Sequence, residues 1–219
     1  MKSVYIASSN PGKLRDFAGA AARFSAEQLA INVAPLPGFS ELPLVAEDGE
    51  TFAANAHKKA EFYSLHAAGA LVLADDSGLE VFALNGAPGV RSARYAADGP
   101  AALNSASELS QNNPDAANNA RLLRQLESVP DGKRHARFVC ALAAARDGRV
   151  LKIFEAEVRG EILRIPRGQN GFGYDPLFFV PEVGKTTAEV TPQEKAAISH
   201  RGRAFQKFLE WYRVRIVNL

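Results

Sequence analysis

The sequence predicts an α/β protein built on a mixed sheet, and three observations point to it. An apolar run, Ser3 to Ala7, passes through a small-residue turn into the helical pattern Leu14 to Phe24. An alanine-rich helix from Thr51 to about Ala68 leads into a second apolar run, Ala70-Leu71-Val72-Leu73. Ala136 to Arg146 and Val150 to Ile162 are long strand candidates separated by Asp147-Gly148, a two-residue hairpin signal. Strands that alternate with helices pair in parallel, and a hairpin adds an antiparallel pair. The 219 residues suffice for one generous domain or two small lobes, and the strands from Ala136 onward are candidates for a second lobe.

Bulk properties exclude several function classes. A net charge of +2 gives no electrostatic case for nucleic acid or for a membrane surface. No apolar run approaches the length of a membrane span. Val4-Tyr5-Ile6-Ala7 enters a polar turn directly, without the apolar core of a signal peptide, so a cytoplasmic location is expected. Cys140 is the sole cysteine and lies inside Phe138-Val139-Cys140-Ala141-Leu142, where a buried, unreactive thiol is expected. One cysteine and four scattered histidines argue against zinc and leave open a hard cation held by carboxylates.

Taken in order, Ser8-Ser9-Asn10-Pro11-Gly12-Lys13 joins the first strand to the first helix. That geometry presents backbone amides and a lysine to an anion, and it also suits a plain turn with a solvated lysine. It is not a Walker A loop, because Ala7 and Leu14 stand where glycine and Ser or Thr are required. Leu29 to Ala34 reads as a second strand and Pro35 to Pro43 as a connection. In the helix from Thr51, the residues Phe52, Ala56, Lys59 and Tyr63 share one face, and Asn55 lies four residues before Lys59. Glu47, Asp48 and Glu50 precede that helix, where its dipole favours negative charge without any metal.

The chain then reaches Ala74-Asp75-Asp76-Ser77-Gly78-Leu79. Ser77-Gly78 reads as a turn, which puts two acids where a core strand leaves the sheet. That edge is where open α/β sheets bind ligands. Strand alternation lets only one of Asp75 and Asp76 face a given site, leaving the other to bind amides in the turn. Leu79 to Leu84 is the next strand candidate, and Val90 to Tyr95 sets two arginines around Ser92, a pattern for phosphate contact or for a surface loop. Asp98 to Ala117 reads as a polar excursion and Asn118 to Leu126 as a helix. From Arg167 to Asp175, Gly168, Gly171 and Gly173 surround Phe172 and Tyr174, fitting a close approach to a planar ligand or a corner with core aromatics. Thr191-Pro192-Gln193-Glu194 opens a capped helix to about Ile198, which Ser199-His200-Arg201-Gly202 interrupts before a last helix, Arg203 to Val214. Lys195, His200 and Arg201 thereby gather donors suited to a ligand rich in carbonyl or phosphate oxygens.

Six segments, taken together, resemble the inosine triphosphate pyrophosphatase family from Ser8 to Gly202. They are Ser9-Asn10-Pro11-Gly12-Lys13; Glu47-x-Gly49-x-Thr51-Phe52-x-x-Asn55-Ala56; Ala74 to Leu79; Gly86-Ala87-Pro88-Gly89-Val90-x-Ser92-Ala93-Arg94-Tyr95; Gly171-Phe172-Gly173-Tyr174-Asp175-Pro176-x-Phe178; and Lys195-x-x-Ile198-Ser199-His200-Arg201-Gly202. The resemblance implies a two-lobed α/β fold forming a homodimer, with a nucleotide cleft between lobes. It implies hydrolysis of non-standard purine nucleoside triphosphates (ITP, dITP, XTP) to monophosphate and pyrophosphate, with Mg²⁺ on the phosphates. By position, Ser8, Ser9, Asn10, Pro11, Gly12 and Lys13 would cradle the triphosphate. Glu47 and Asp76 would hold Mg²⁺, Asp76 also acting as general base, and Lys59 would neutralise phosphate charge. Ser77 would contact substrate, Phe172 would stack on the purine, and Gly173, Tyr174, Asp175, Lys195, His200 and Arg201 would line the base pocket.

A hypoxanthine or xanthine base carries a carbonyl at C6, which donor-only Lys195 and Arg201 would favour over the amine of adenine. The polar stretch Pro100 to Asp115 looks longer than is usual in the family and bears on the oligomeric state. A non-catalytic nucleotide sensor is the alternative, but it would not need Glu47 and Asp76. An α/β-hydrolase or a dehydrogenase is disfavoured, since neither G-x-S-x-G nor G-x-G-x-x-G follows a predicted strand.

Overall fold

The first apolar run forms β1 (Ser3–Ile6), and the turn after it opens directly into α1 (Pro11–Ser25). A computed structural model describes residues 3–25, 31–98 and 113–216 of the chain. The remaining elements in order are β2 (Asn32–Pro35), α2 (Phe52–Ser64), β3 (Leu71–Val81), α3 (Pro114–Gln125), β4 (His135–Arg146), β5 (Arg149–Ile162), β6 (Phe178–Val180), β7 (Lys185–Thr186), α4 (Pro192–Ile198) and α5 (His200–Ile216). The strands form one seven-stranded sheet in the order β2-β1-β3-β4-β5-β6-β7. β1 pairs in parallel with β2 and β3, Tyr5 standing opposite Ala34 and Val72, while β5, β6 and β7 pair antiparallel. The sheet is therefore mixed, as expected. Asp147 and Gly148 join β4 to β5 with φ of 49° and 75°, the two positive values that a tight hairpin turn demands.

The chain divides into two compact units. The first comprises Met1–Ser77, Val139–Glu157 and Pro192–Leu219, and the second Gly78–Phe138 and Val158–Thr191. In the first unit, Val4, Ile6, Leu71, Leu73, Leu142 and Phe154 of the strands bury against Phe17, Ala20 and Phe24 of α1 and Phe205, Phe208 and Leu209 of α5. Val72 and Ala74, which alternate with Leu71 and Leu73, are buried as well, so β3 is covered on both faces here. The second unit has its own core of Leu79, Val81, Leu122, Leu126, Phe138, Val158, Ile162, Leu177 and Phe178. Among the described residues no helix is long and apolar enough to cross a membrane.

One difference from the sequence reading matters for function. The apolar run does not leave the sheet at Asp75; β3 continues through Asp75-Asp76-Ser77-Gly78 to Val81. Gly78 serves the strand rather than a turn. A Cβ there would overlap Ser92 Oγ and the Gly89 carbonyl, so glycine admits a close neighbour instead of reversing the chain. The buried Ser92 hydroxyl accepts from Leu79 N at 2.9 Å and donates to Gly89 O at 2.6 Å, while Arg94 pairs with Asp98 at the surface. The Val90 to Tyr95 segment is thus a structural corner. Other boundaries shift modestly: α2 ends at Ser64, and α3 begins at Pro114 because Asn113 caps Ala116 N at 3.1 Å. Residues 29 and 30 of the expected second strand, and 100–112 of the polar stretch, lie outside the described residues.

Candidate active site

Strand alternation sends Asp75 and Asp76 to opposite faces of β3, and each meets its own set of cations in the first unit. Asp75 Oδ2 lies 3.1 Å from Lys13 Nζ and 3.3 Å from Arg201 Nε, and it accepts from Ser77 Oγ at 2.9 Å. Arg201 Nη2 donates to Ser77 Oγ at 2.6 Å and Nη1 to Asp16 Oδ2 at 3.1 Å. Lys195 Nζ stands 3.1 Å from Asp16 Oδ1. Asp75 therefore binds side-chain cations, not the turn amides expected from the sequence, because no turn exists there. Its burial is outweighed by Lys13, Arg201 and Lys59, which hold its carboxyl well below the usual range.

On the other face, Asp76 Oδ1 lies 3.3 Å from Lys59 Nζ, which also donates to Glu47 Oε1 at 2.5 Å. Asn55 Nδ2 donates to Asp76 Oδ2 at 3.0 Å, and Asn55 Oδ1 accepts from Gly49 N at 2.8 Å. Asn55 thus ties the loop that carries Glu47 to the carboxylate of Asp76. Glycine is required at 49, since a Cβ there would stand 2.7 Å from Asn55 Oδ1. The α2 face read from the sequence is the buried one, and its polar members Asn55 and Lys59 both reach Asp76. Two of the three acids before α2 pair with lysines, Glu47 with Lys59 and Asp48 with Lys58.

Two carboxylates, Glu47 and Asp76, share the one ammonium of Lys59. Burial, reinforced by Glu47, raises the pKa of Asp76 against the opposing pull of Lys59 and Asn55. Lys59 is penalised by burial, but Asp76, Asp75 and Glu47 outweigh that penalty and keep its ammonium charged. The result is a carboxylate more basic than usual beside a fixed positive charge.

Residues 8 to 13 behave as a helix cap. Asn10 Oδ1 accepts from Gly12 N at 2.8 Å and Lys13 N at 3.1 Å, Pro11 takes the first helical position, and Asn10 N donates to Ser8 Oγ at 3.2 Å. The amides expected to face an anion are thus engaged by Asn10, and the charge of Lys13 is the strongest feature this turn offers a phosphate. At the other end of the chain, Ser199 Oγ accepts from Gly202 N at 3.1 Å and so caps α5 just after α4 ends. His200 is buried and its pKa is driven well below the ordinary value, first by burial and then by Arg201 and Lys195, so it is neutral at pH 7. Cys140 is fully buried and its thiol pKa is pushed up by burial, as expected from its apolar run.

Phe172, Gly173, Tyr174 and Asp175 lie in the second unit. Tyr174 and Asp175 turn inward. The Tyr174 hydroxyl donates to Ser92 O at 2.8 Å, while the Asp175 carboxylate accepts from Phe172 N and from Thr187 Oγ1, each at 2.8 Å. Both hold the loop from within, and the half-buried Phe172 is the ring it presents. Gly171 is required by its φ of 79° and because a Cβ would strike the Asp175 carboxylate.

Sequence reasoning missed Asp16, which bridges Lys195 and Arg201. Its one signal is its place three residues after Lys13, on the same face of α1.

Fold and site together define an α/β protein with a buried carboxylate–lysine centre on β3 and a lattice of cations around the neighbouring carboxylate. The chain belongs to the Ham1 family, whose model matches residues 4–211. It is 50% identical over 207 residues to the dITP/XTP pyrophosphatase of Acidobacterium capsulatum, covering 94% of this chain and 96% of the relative. It is 48% identical over 210 residues to the protein of the same name from Geobacillus kaustophilus, covering 96% and 94%. Among solved structures it is similar to the Staphylococcus aureus Ham1 protein, with TM-score 0.75 and 37% identity over 98% of this chain and 100% of that one. A HAM1 protein from Coxiella burnetii gives TM-score 0.74 and 40% identity over the whole of both chains.

Proposed function

We propose that the protein is a nucleoside-triphosphate pyrophosphatase that hydrolyses dITP, ITP and XTP to the nucleoside monophosphate and pyrophosphate, removing non-standard purines from the nucleotide pool. The observation that carries this reading is the buried Glu47–Lys59–Asp76 group, in which one carboxylate is made more basic beside a fixed ammonium. The relatives' shared name, dITP/XTP pyrophosphatase, supports it.

In the reaction, Asp76 accepts a proton from water as the water oxygen bonds to the α-phosphorus. The bridging bond to the β-phosphate breaks, and its electron pair leaves with pyrophosphate. Lys59 and Lys13 offset the charge gathered on the phosphate oxygens. Glu47 and Asp76 are the residues that would hold Mg²⁺. Among the described residues no group of three or more His, Cys, Asp or Glu gathers to hold a metal. Two carboxylates completed by substrate phosphates is the donor set Mg²⁺ ordinarily takes, so the residues fit. When bound, the ion supplies charge neutralisation on the phosphates and polarises the P–O bonds.

Phe172 supplies a ring for the purine, and Lys195 and Arg201 supply donors for the C6 carbonyl. Their counter-charge, Asp16, keeps both cations fixed in place. A homodimer in the cytoplasm belongs to the same proposal, drawn from the family resemblance. The sensor alternative is not favoured, since binding alone needs no basic carboxylate. The test is turnover of XTP in H₂¹⁸O. Label in the monophosphate and none in pyrophosphate supports attack at the α-phosphorus; label in pyrophosphate, or release of orthophosphate, contradicts it.

A further inference from the structure

Residue Gly173 is gripped at both of its peptide groups by one helix. Its N–H donates to Asp115 Oδ2 at 2.7 Å, and its C=O accepts from Asn119 Nδ2 at 3.0 Å. Asp115 and Asn119 stand four apart in the first turns of α3, so they lie one above the other on the same helix face. Gly173 can offer both groups to that face because its φ is 62°, a conformation other residues rarely adopt. A Cβ at Gly173 would meet nothing within 4 Å, so conformation and not crowding selects glycine.

The amide of Asn119 is oriented for this contact. Its Oδ1 is buried with no hydrogen-bond partner among the described residues. Exchanging Oδ1 and Nδ2 would set two oxygens against each other at Gly173, so the carbonyl contact fixes the amide even though its own oxygen gains nothing. Phe172 N–H in turn is held by Asp175 Oδ2 at 2.8 Å. Every peptide donor flanking Phe172 within Phe172-Gly173 is thereby tied to a carboxylate. The ring itself is half-buried.

We infer that Asp115 and Asn119 are positioning residues that set where the Phe172 ring stands and, through it, the affinity for the purine end of the nucleotide. The inference rests on the reading of Phe172 as the base-stacking ring. Asp115 and Asn119 touch neither base nor phosphate in this role. Removing their contacts lets the Gly171 to Asp175 loop move, which weakens binding of the base without altering the groups that act on the phosphates.

Steady-state kinetics of the full chain with XTP tests this, using Asp115→Ala, Asn119→Leu, Phe172→Ala and the double variant Phe172→Ala/Asp115→Ala. Inhibition by inorganic triphosphate serves as a probe of the phosphate end alone. Asp115→Ala and Asn119→Leu are expected to raise KM about three- to tenfold while kcat changes less than about twofold. The inhibition constant of inorganic triphosphate stays at the wild-type value. In the Phe172→Ala background, Asp115→Ala adds no further rise in KM, the non-additivity expected of residues acting through one ring. Asp115→Asn keeps an acceptor for Gly173 N–H and restores most of the wild-type KM. An unchanged KM in Asp115→Ala and Asn119→Leu, with KM raised in Phe172→Ala, overturns the inference and leaves base stacking intact. An unchanged KM in Phe172→Ala overturns the stacking reading itself. Should Asp115→Ala not fold, Asn119→Leu and its double with Phe172→Ala decide the question.

Discussion

Lys59 Nζ stands 3.3 Å from Asp76 Oδ1, and the two side chains are each only 9% exposed. Charges this well removed from water interact through a lower effective dielectric than a surface pair. Glu47 sits on the same ammonium, so the lysine cannot cancel both acids, and Asp76 retains the basicity that burial confers.

Replacing Asp76 by Asn should therefore separate folding from turnover. The amide keeps the shape and can still accept from Asn55 Nδ2, while Lys59 keeps Glu47. Turnover of XTP is expected to fall by about 10³-fold or more, since the proposed base and metal ligand would be lost together. A melting temperature within a few degrees of wild type, roughly a 1 kcal/mol change, would accompany it. Turnover near the wild-type rate removes Asp76 from the mechanism.

Metal removal tests the donor set. Chelation is expected to lower turnover by at least about a hundredfold and Mg²⁺ to restore it, because two carboxylates and a triphosphate are hard oxygen donors. Glu47→Gln should raise the Mg²⁺ concentration needed for half-maximal rate. Full activity in chelator excludes the proposed role of Glu47 and Asp76 toward a cation.

Asp75 predicts a pH dependence of stability. Its folded-state pKa lies below the ordinary value of 3.8, so its contribution is fully present at neutral pH. That contribution is lost as pH falls below 3.8 toward the depressed folded value. Asp75→Asn should melt lower than wild type at pH 7 and lose less on acidification, so that the two melting curves draw together only as pH falls below 3.8. Curves that stay parallel contradict the ion-pair account of Asp75.

Lys13 holds Asp75 at 3.1 Å yet is the cation nearest the cap that opens α1. Asp75 keeps Arg201 and Ser77 when Lys13 is removed. Lys13→Ala is expected to cost about 1–2 kcal/mol of stability while lowering kcat/KM for triphosphates more than about tenfold. Loss of the fold with unchanged kinetics in the surviving fraction would make Lys13 structural.

Much of this centre was legible in the chain. The Asn55–Lys59 pair on one face of α2, the acids before that helix and the adjacent Asp75 and Asp76 are all local patterns, and local patterns survive folding. The strand through Asp75-Asp76-Ser77-Gly78 was not legible, because Ser-Gly favours a turn until a distant Ser92 packs against Gly78 and the sheet overrides the preference. Asp16 was hidden for a related reason: an acid one turn after a lysine looks like a solvated helix pair, and its partners Lys195 and Arg201 come from the opposite end of the chain. Tyr174 and Asp175 share a segment with Phe172, yet only hydrogen bonds to Ser92 and Thr187 reveal that they face inward.

The central claim is selective hydrolysis of purine triphosphates with a carbonyl at C6, and catalytic efficiency on a matched panel tests it most directly. With kcat/KM measured for dITP, ITP and XTP against dATP and ATP, scored by pyrophosphate release, the carbonyl-bearing substrates are expected to be favoured at least about a hundredfold. In adenine nucleotides Lys195 and Arg201 would meet an amine where the preferred bases offer an acceptor, and two such lost hydrogen bonds of about 1–3 kcal/mol compound to that ratio. Arg201→Ala should narrow the ratio by slowing the preferred substrates. Equal efficiency on ATP and ITP, or binding of XTP without release of pyrophosphate, would contradict the account.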